Sequence, residues 1–389
     1  MRKPLLHVPI LALICAVCVL GTATRATTID SLGSVDFPNS GSPEAQEAFI
    51  RGVLLLHSFE YEDAREAFQE AQEIDADFAM AHWGEAMTYN HPLWRWQDRD
   101  AALAILDKIP DHEVSAREQG YLDALDVLFG EGDKVARDFA YSEAMRQLSD
   151  RYPDDLEAKS FYALSVLGTT QAIRDFRTFM KAGAIVEEVF AVNPRHPGAA
   201  HYLIHSYDDP VHAPLGLRAA RVYAEIAPAA SHAQHMISHI YVALGDWPNS
   251  VDSNIKSFEV SRERYERKGL GIDALNFHSF HWLEYSYLQL GQFTKARPMV
   301  DRMHEYAQES GSPRARGYYA GMRASWVVET GGTDVPESLG TETMGKTSAA
   351  ADLYASGFGS LTTGDRAAAT KALGEMDLSL IHISEPTRR

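Results

Sequence analysis

Apolar positions recur with helical spacing through most of the chain. In YEDAREAFQEAQEI, Ala64, Phe68 and Ala71 fall on one stripe of a helix. The run Asp75–Asp77 interrupts, and the stripe restarts at Phe78. The unit is helix, tight turn, helix. It recurs in NPRHPGAAHYLIHSY and APAASHAQHMISHIYVALGDW, each with a proline just ahead of a helix. Those prolines, Pro194 and Pro228, stand one repeat of about 34 residues apart. NFHSFHWLEYSYLQLGQFTKA is a further copy, displaced by a longer helix through SFEVSRERYERKG. Units are expected to start near Pro43, Asp75, His112, Pro153, Pro194, Pro228, Gly271 and Pro313, with a last one from about Thr347. Strand signals are nearly absent, so the expected fold is all-α, a solenoid of stacked helical hairpins with no sheet.

The helix–turn–helix repeat is the tetratricopeptide pattern. Carrying AMAHWGEAM, HPGAAHYLIHSYDDP and SHAQHMISHI in that order, residues 43 to 310 resemble the exported bacterial tetratricopeptide-repeat proteins. The resemblance implies a scaffold that binds a protein or peptide partner in its concave groove. It does not imply an enzyme.

Within the repeat frame, positions 4, 7, 8 and 11 of each first helix face the core, and positions 2, 5, 9, 12 and 13 face the groove. Histidines collect on the groove side. Position 5 is His201, His235 and His281 in successive units, position 9 is His205, His239 and Tyr285, and position 2 is Gly198, His232 and His278. Asp208 and Asp209 take positions 12 and 13, and His57 and His91 take position 13 of the first two units. Two imidazoles at i, i+4 meet on one helix face, as in zinc-binding helices. Neighbouring helices pack about 8–10 Å apart. His201, His205, His235 and His239 are therefore expected to converge on one shared ion, with His232, His281 and Asp208 as a further ligand, a second ion's ligands or the supporting shell. Nitrogen with carboxylate suits Zn, Cu, Fe or Ni. A structural or peptide-contacting histidine ladder is the competing reading.

His57, His91, His278, Tyr285 and Asp209 are expected to line the groove for a partner. Trp83, Trp94 and Trp96 with Tyr89 form either an aromatic groove wall or core. Tyr207, Tyr241 and Tyr287, all at position 11, read as packing. His7, His112, His196 and His304 read as ordinary leader or surface residues. No P-loop, dinucleotide fingerprint, G-x-S-x-G or H-E-x-x-H is present. The alternative function is a metal-dependent enzyme in which Asp208 or Asp209 is general base to a metal-bound water. An enclosed cavity with NHPLWRWQD folded over the ions would distinguish the enzyme from an open-grooved scaffold.

The two ends change the chemistry. Residues 1–23 read as a secretory signal peptide: Arg2 and Lys3, an apolar run from Val8 to Leu20, then small residues Gly21 and Ala23. The expected address is periplasmic or extracellular. Both cysteines, Cys15 and Cys18, lie in that leader, so thiolate sites are excluded from the remainder. Residues 378–389, LSLIHISEPTRR, match an in-frame translation of a common sequencing adapter. Between these ends the expected divisions are an exposed segment 24–42, the solenoid 43–330, a linker 331–346 and a truncated helical repeat 347–377. The net charge is −18, and it is more negative without Arg2, Lys3, Arg388, Arg389 and Glu385. Such an acidic chain is a poor nucleic-acid ligand, and no run beyond the leader is long and apolar enough to span a membrane.

Overall fold

The computed structural model describes residues 27–110, 113–170 and 174–384, with side chains from 29 to 376 within those spans. The leader, His7, His112 and the side chains of the last segment lie outside the described residues. Helices pair along the chain: α1 (Gln46–His57) with α2 (Tyr61–Ile74), α3 (Ala79–Met87) with α4 (Arg99–Leu106), α5 (Ala116–Leu128) with α6 (Lys134–Arg151), and α7 (Leu156–Gly168) with α8 (Phe176–Val192). The series continues with α9 (Pro197–Tyr207) and α10 (Ala213–Ile226), α11 (Ser231–Ala243) and α12 (Trp247–Lys268), and α13 (Phe277–Gln289) and α14 (Phe293–Ser310). It ends with α15 (Pro313–Glu329), α16 (Lys346–Thr362) and α17 (Arg366–Ser384). Helices pack on their sequence neighbours, except that α5 meets α3 rather than α4, which makes a tetratricopeptide-like solenoid. Among the described residues no helix is long and apolar enough to cross a membrane.

Local chemistry sets the helix starts. Asp98, Asp133, Asp155, Asp175, Asp246 and Asn276 each accept a backbone N–H of the helix they precede. Ser115 and Glu118 form a reciprocal capping box. Pro197 occupies the first turn of α9, where no donor is needed.

Three expectations are corrected. The described residues contain two short antiparallel hairpins, β1 (Thr27–Ile29) with β2 (Gly33–Val35), and β3 (Asn90–His91) with β4 (Trp96–Gln97). Within the segment expected to be exposed, Leu32, Val35 and Phe37 are buried in the main apolar cluster. Ser34 N–H bonds the carbonyl of Arg195 at 3.0 Å, and Ala229 N–H bonds that of Ser31 at 3.1 Å. The N-terminal hairpin thus closes onto the helices of the fifth and sixth units. Residues 331–346 are docked rather than loose, since Arg323 Nε donates to Pro336 O and Trp326 Nε1 to Asp334 O, both at 2.7 Å.

The superhelix curls until α12 touches α2. Arg264 of α12 binds the Asp63 carboxylate of α2 through two nitrogens, and Lys268 adds a third contact to Asp63 at 2.7 Å. Side chains that a flatter solenoid would present to an open groove meet one another across it. His57, His201 and His235 are fully buried.

A seam of small polar residues runs between α11, α12 and α13. Ser250, Ser253, Asn254, Ser257 and Ser261 are the buried face of α12 apart from Val251. Their hydroxyls bond one another and nearby carbonyls: Ser250 to Ser286 at 2.8 Å, and Ser231 to Ser257 O at 3.0 Å. Small side chains allow close helix approach, and each buried hydroxyl is satisfied.

Candidate metal centre

Six histidines from three helices form two triads, not one four-histidine site. In the first, His201 Nε2 lies 3.0 Å from His205 Nε2 and 3.2 Å from His232 Nε2. In the second, His235 Nε2 and His239 Nε2 are 3.1 Å apart, and the His278 ring lies 4.5 Å from that of His235, centroid to centroid. One nitrogen from each member of a triad falls within 4.8 Å of the others. Two nitrogens bound to one ion at about 2.0–2.1 Å in a tetrahedral array lie about 3.3–3.4 Å apart. The His201–His205, His201–His232 and His235–His239 nitrogen pairs lie within a few tenths of an ångström of that spacing.

Each triad has the same origin. An i, i+4 pair on one helix joins the position-2 histidine at the start of the next unit's first helix: His201 and His205 with His232, then His235 and His239 with His278. The solenoid repeats the site because it repeats the unit. The triads are adjacent, with His205 and His239 ring centroids 6.2 Å apart and His232 and His235 6.3 Å apart.

Neighbouring groups fix the tautomers. His201 Nδ1–H donates to the backbone carbonyl of His57 at 2.7 Å. His235 Nδ1–H donates to Asn254 Oδ1 at 2.7 Å, and Asn254's amide is oriented by its own donation to Ser250 O at 2.8 Å. His239 Nδ1–H donates to Asp208 Oδ2 at 2.8 Å. In all three rings Nε2 therefore carries the lone pair and faces the triad centre. Burial pushes His201 and His278 down to about 3 and lowers His205, His232 and His235 as well. Neutral imidazole, the ligating form, is the resting state. Burial opposes ionisation of Asp208, but His239 and Arg174 outweigh it and hold the carboxyl below its ordinary value.

The other sequence-predicted residues fall elsewhere. His281 joins neither triad; its Nε2 lies 3.3 Å from Ser325 Oγ, and His278 stands in the position expected of it. Asp209 is buried away from a partner, accepting the N–H groups of Val211 and His212 and pairing with Arg174 and His212. Tyr285 packs edge-on against Trp247, and His91 stacks on Tyr61 at 3.7 Å. His57 is not a groove contact. Its Nδ1 accepts from the Tyr202 hydroxyl at 2.8 Å, and its Nε2–H donates to Glu157 at 2.7 Å. The tryptophans divide: Trp83 is core, whereas Trp94 and Trp96 are 54% and 47% exposed.

His196, expected at the surface, is fully buried. Its Nδ1 accepts from Ala199 N–H at 3.1 Å and its Nε2–H donates to the other Glu157 oxygen at 3.0 Å. Burial opposes the Glu157 charge, yet His196 and His57 more than offset it, and the carboxyl is held down to about 2. His57, Glu157 and His196 lie close enough to hold an ion, but their nitrogens are spent on hydrogen bonds. The cluster supports the end of α1, whose last carbonyl orients His201. His304 is likewise no surface residue: its Nε2 is buried and its ring lies 4.9 Å from Tyr319.

Searches against protein-family models and curated proteins found no match. Among solved structures, the chain is similar to a Rap protein complexed with competence and sporulation factor, at 13% identity over 88% of this chain and 99% of that one, with a TM-score of 0.43. It is also similar to yeast Tom70, at 9% identity over 86% and 78%, with a TM-score of 0.40. The TPR2AB domain of yeast Sti1, solved in complex with pHSP90, aligns at 14% identity over 72% and 99%, with a TM-score of 0.26.

Both triads open on one cavity of about 1050 Å³, lined by His205, His232, His239 and His278 together with Trp94, Arg174, Arg264 and Tyr318. That is about the upper end of the usual size for small-molecule sites. The NHPLWRWQD loop reaches over it, placing the Trp94 ring 5.9 Å from His232. Phe59 packs on His201 at 4.3 Å and Trp282 on His239 at 4.5 Å. Glu60 accepts the N–H of His232 at 2.9 Å, and burial pushes its carboxyl up to about 7. Sequence reasoning missed Glu60, Asn254 and Glu157. The ligand role of His278 had a signal, the recurrence of histidine at position 2.

Proposed function

We propose that this chain is a metalloprotein holding two transition-metal ions side by side, one per histidine triad, and that it is a metal-dependent enzyme acting on a small molecule in the shared cavity. One observation carries the reading. His235 and His239 both donate through Nδ1, so their Nε2 lone pairs face each other at 3.1 Å. Two lone pairs at that distance repel unless a cation lies between them. The acceptors Asn254 and Asp208 enforce the arrangement at a cost that a bound ion repays. The histidine-lined cavity, with Trp94 of the NHPLWRWQD loop on its wall, supports an enzyme acting on a small molecule. Asp208 lines the cavity and is placed to orient His239; Asp209 is committed to its turn and is not the base.

The test is metal content and thermal shift on the full chain without a histidine tag. Two ions per chain are expected with the preferred metal, falling to one in His235→Ala, with His304→Ala unchanged. Binding to the folded state raises the melting temperature by mass action. If Zn, Cu, Ni and Fe all leave the melting temperature unmoved at pH 7.5, the reading fails.

A further inference from the structure

This inference rests on the dinuclear reading and names its metal and its co-substrate. All six candidate ligands are imidazoles, and no carboxylate enters either triad. The carboxyl groups in direct contact with ligands stand one bond further out: Asp208 on the Nδ1–H of His239, and Glu60 on the N–H of His232. Arg174 and Arg264 at the cavity edge are matched by Asp209 and Asp63. Glu62 and Asp273 also line the cavity, with Arg314 beside them, and two divalent ions would place four positive charges against the two carboxyl groups in contact with the ligands. Two monovalent ions would place two. Burying uncompensated charge is expensive, so the ligand set favours monovalent ions. Of the metals that suit imidazole, Zn, Cu, Fe and Ni, copper is the one with an ordinary monovalent state.

We propose that the triads hold a pair of copper(I) ions that bind dioxygen between them. Three ligands leave each ion an open position, and His205, His232, His239 and His278 turn both sites toward one cavity. The electron count closes without another reactant. Each copper(I) gives up one electron, dioxygen takes both, and no proton moves. The pair gains two positive charges and the bound oxygen two negative ones, so the net charge stays at two. The same carboxyl groups therefore balance the site before and after oxygen binds. Phe59, Trp94 and Trp282 pack beside the ligands and make part of the site's wall apolar.

The experiment loads the tag-free full chain with copper(I) under argon, admits oxygen, and follows copper content, oxygen uptake, electron paramagnetic resonance and near-ultraviolet absorption. Two coppers per chain are expected, with one dioxygen taken up per pair. A charge-transfer band should appear, and the oxidised pair should be silent in resonance because its two unpaired electrons couple. His278→Ala, with its fold checked by circular dichroism, should lose the band and give the resonance of isolated copper(II) when oxidised. Copper that oxidises to two full resonance signals in the unaltered chain overturns the proposal, as does copper(I) that takes up no oxygen. Zinc(II) separates the two levels: two zinc ions per chain with no copper(I) bound would end the copper proposal and leave the dinuclear reading standing. No binding by either metal would end the copper proposal, and failure of nickel and iron as well would end both.

Discussion

The Nδ1–H of His201 donates to the backbone carbonyl of His57, 2.7 Å away in space and 144 residues away in sequence. That bond joins the end of α1 to the middle of α9 across the closed superhelix. It makes the geometry of a candidate ligand depend on the fold of the first repeat, and on the buried His57–Glu157–His196 network that anchors it.

Glu157→Gln should therefore destabilise the protein by about 3–5 kcal/mol, since it breaks a buried, doubly hydrogen-bonded charge. A urea midpoint shift on circular dichroism measures this. An unchanged midpoint would mean that Glu157 carries no such weight.

Gly198→Ala tests the same junction. Alanine is ordinarily about 1 kcal/mol better than glycine in a helix. Here its Cβ would lie 2.4 Å from His57 Nδ1, the nitrogen that accepts from Tyr202. The clash should win, with a net loss of about 1–3 kcal/mol. A stabilised variant would contradict the packing described.

Asn254→Ala removes the acceptor that sets the His235 tautomer. Loss of such a supporting contact typically weakens metal binding about 10–100-fold. The second triad should be affected and the first spared. Titration with metal should resolve one unchanged and one weakened site; equal weakening of both would argue against separate triads.

In the metal-free protein, burial holds His201 and His278 down to about 3 and His91 and His281 down to about 4. An unfolded histidine titrates near 6.5. Between these values the unfolded chain binds protons that the folded chain refuses, so stability rises with pH. It should be undiminished by these groups above about pH 6.5 and should fall as the pH drops toward 4 and then 3. Urea midpoints at pH 8 and pH 5, in chelator, decide the matter; equal midpoints would refute it.

Glu284 works in the opposite direction. It is fully buried, neither oxygen has a hydrogen-bond partner among the described residues, and burial with the nearby Glu329 raises its pKa well above the ordinary range. The folded state keeps a proton that the unfolded chain releases above about pH 4.3, so this group costs stability as the pH rises. Glu284→Leu should stabilise at pH 8 by about 1–3 kcal/mol, read as a higher melting temperature. A lower one would point to a role for the carboxyl.

The sequence by itself determined the repeat, the helical hairpins and the groove-side placement of the histidines. These are local matters: the Ala64–Phe68–Ala71 stripe, the prolines ahead of α9 and α11, and the i, i+4 spacing of His201–His205 and His235–His239 follow from helix geometry alone. The partition into triads was half legible, since position 2 of one unit meets positions 5 and 9 of the previous one only when the angle between stacked hairpins is known. The closure of the superhelix was not legible. It depends on Arg264 reaching Asp63 and on Leu32, Val35 and Phe37 packing into the main apolar cluster, contacts between residues far apart in the chain that no periodicity encodes. Tertiary packing also buried His57, His196 and Glu157 and brought both triads onto one cavity. Tertiary structure also decided which nitrogen each ring presents, because a tautomer is set by whichever acceptor the fold brings to the far side of the imidazole.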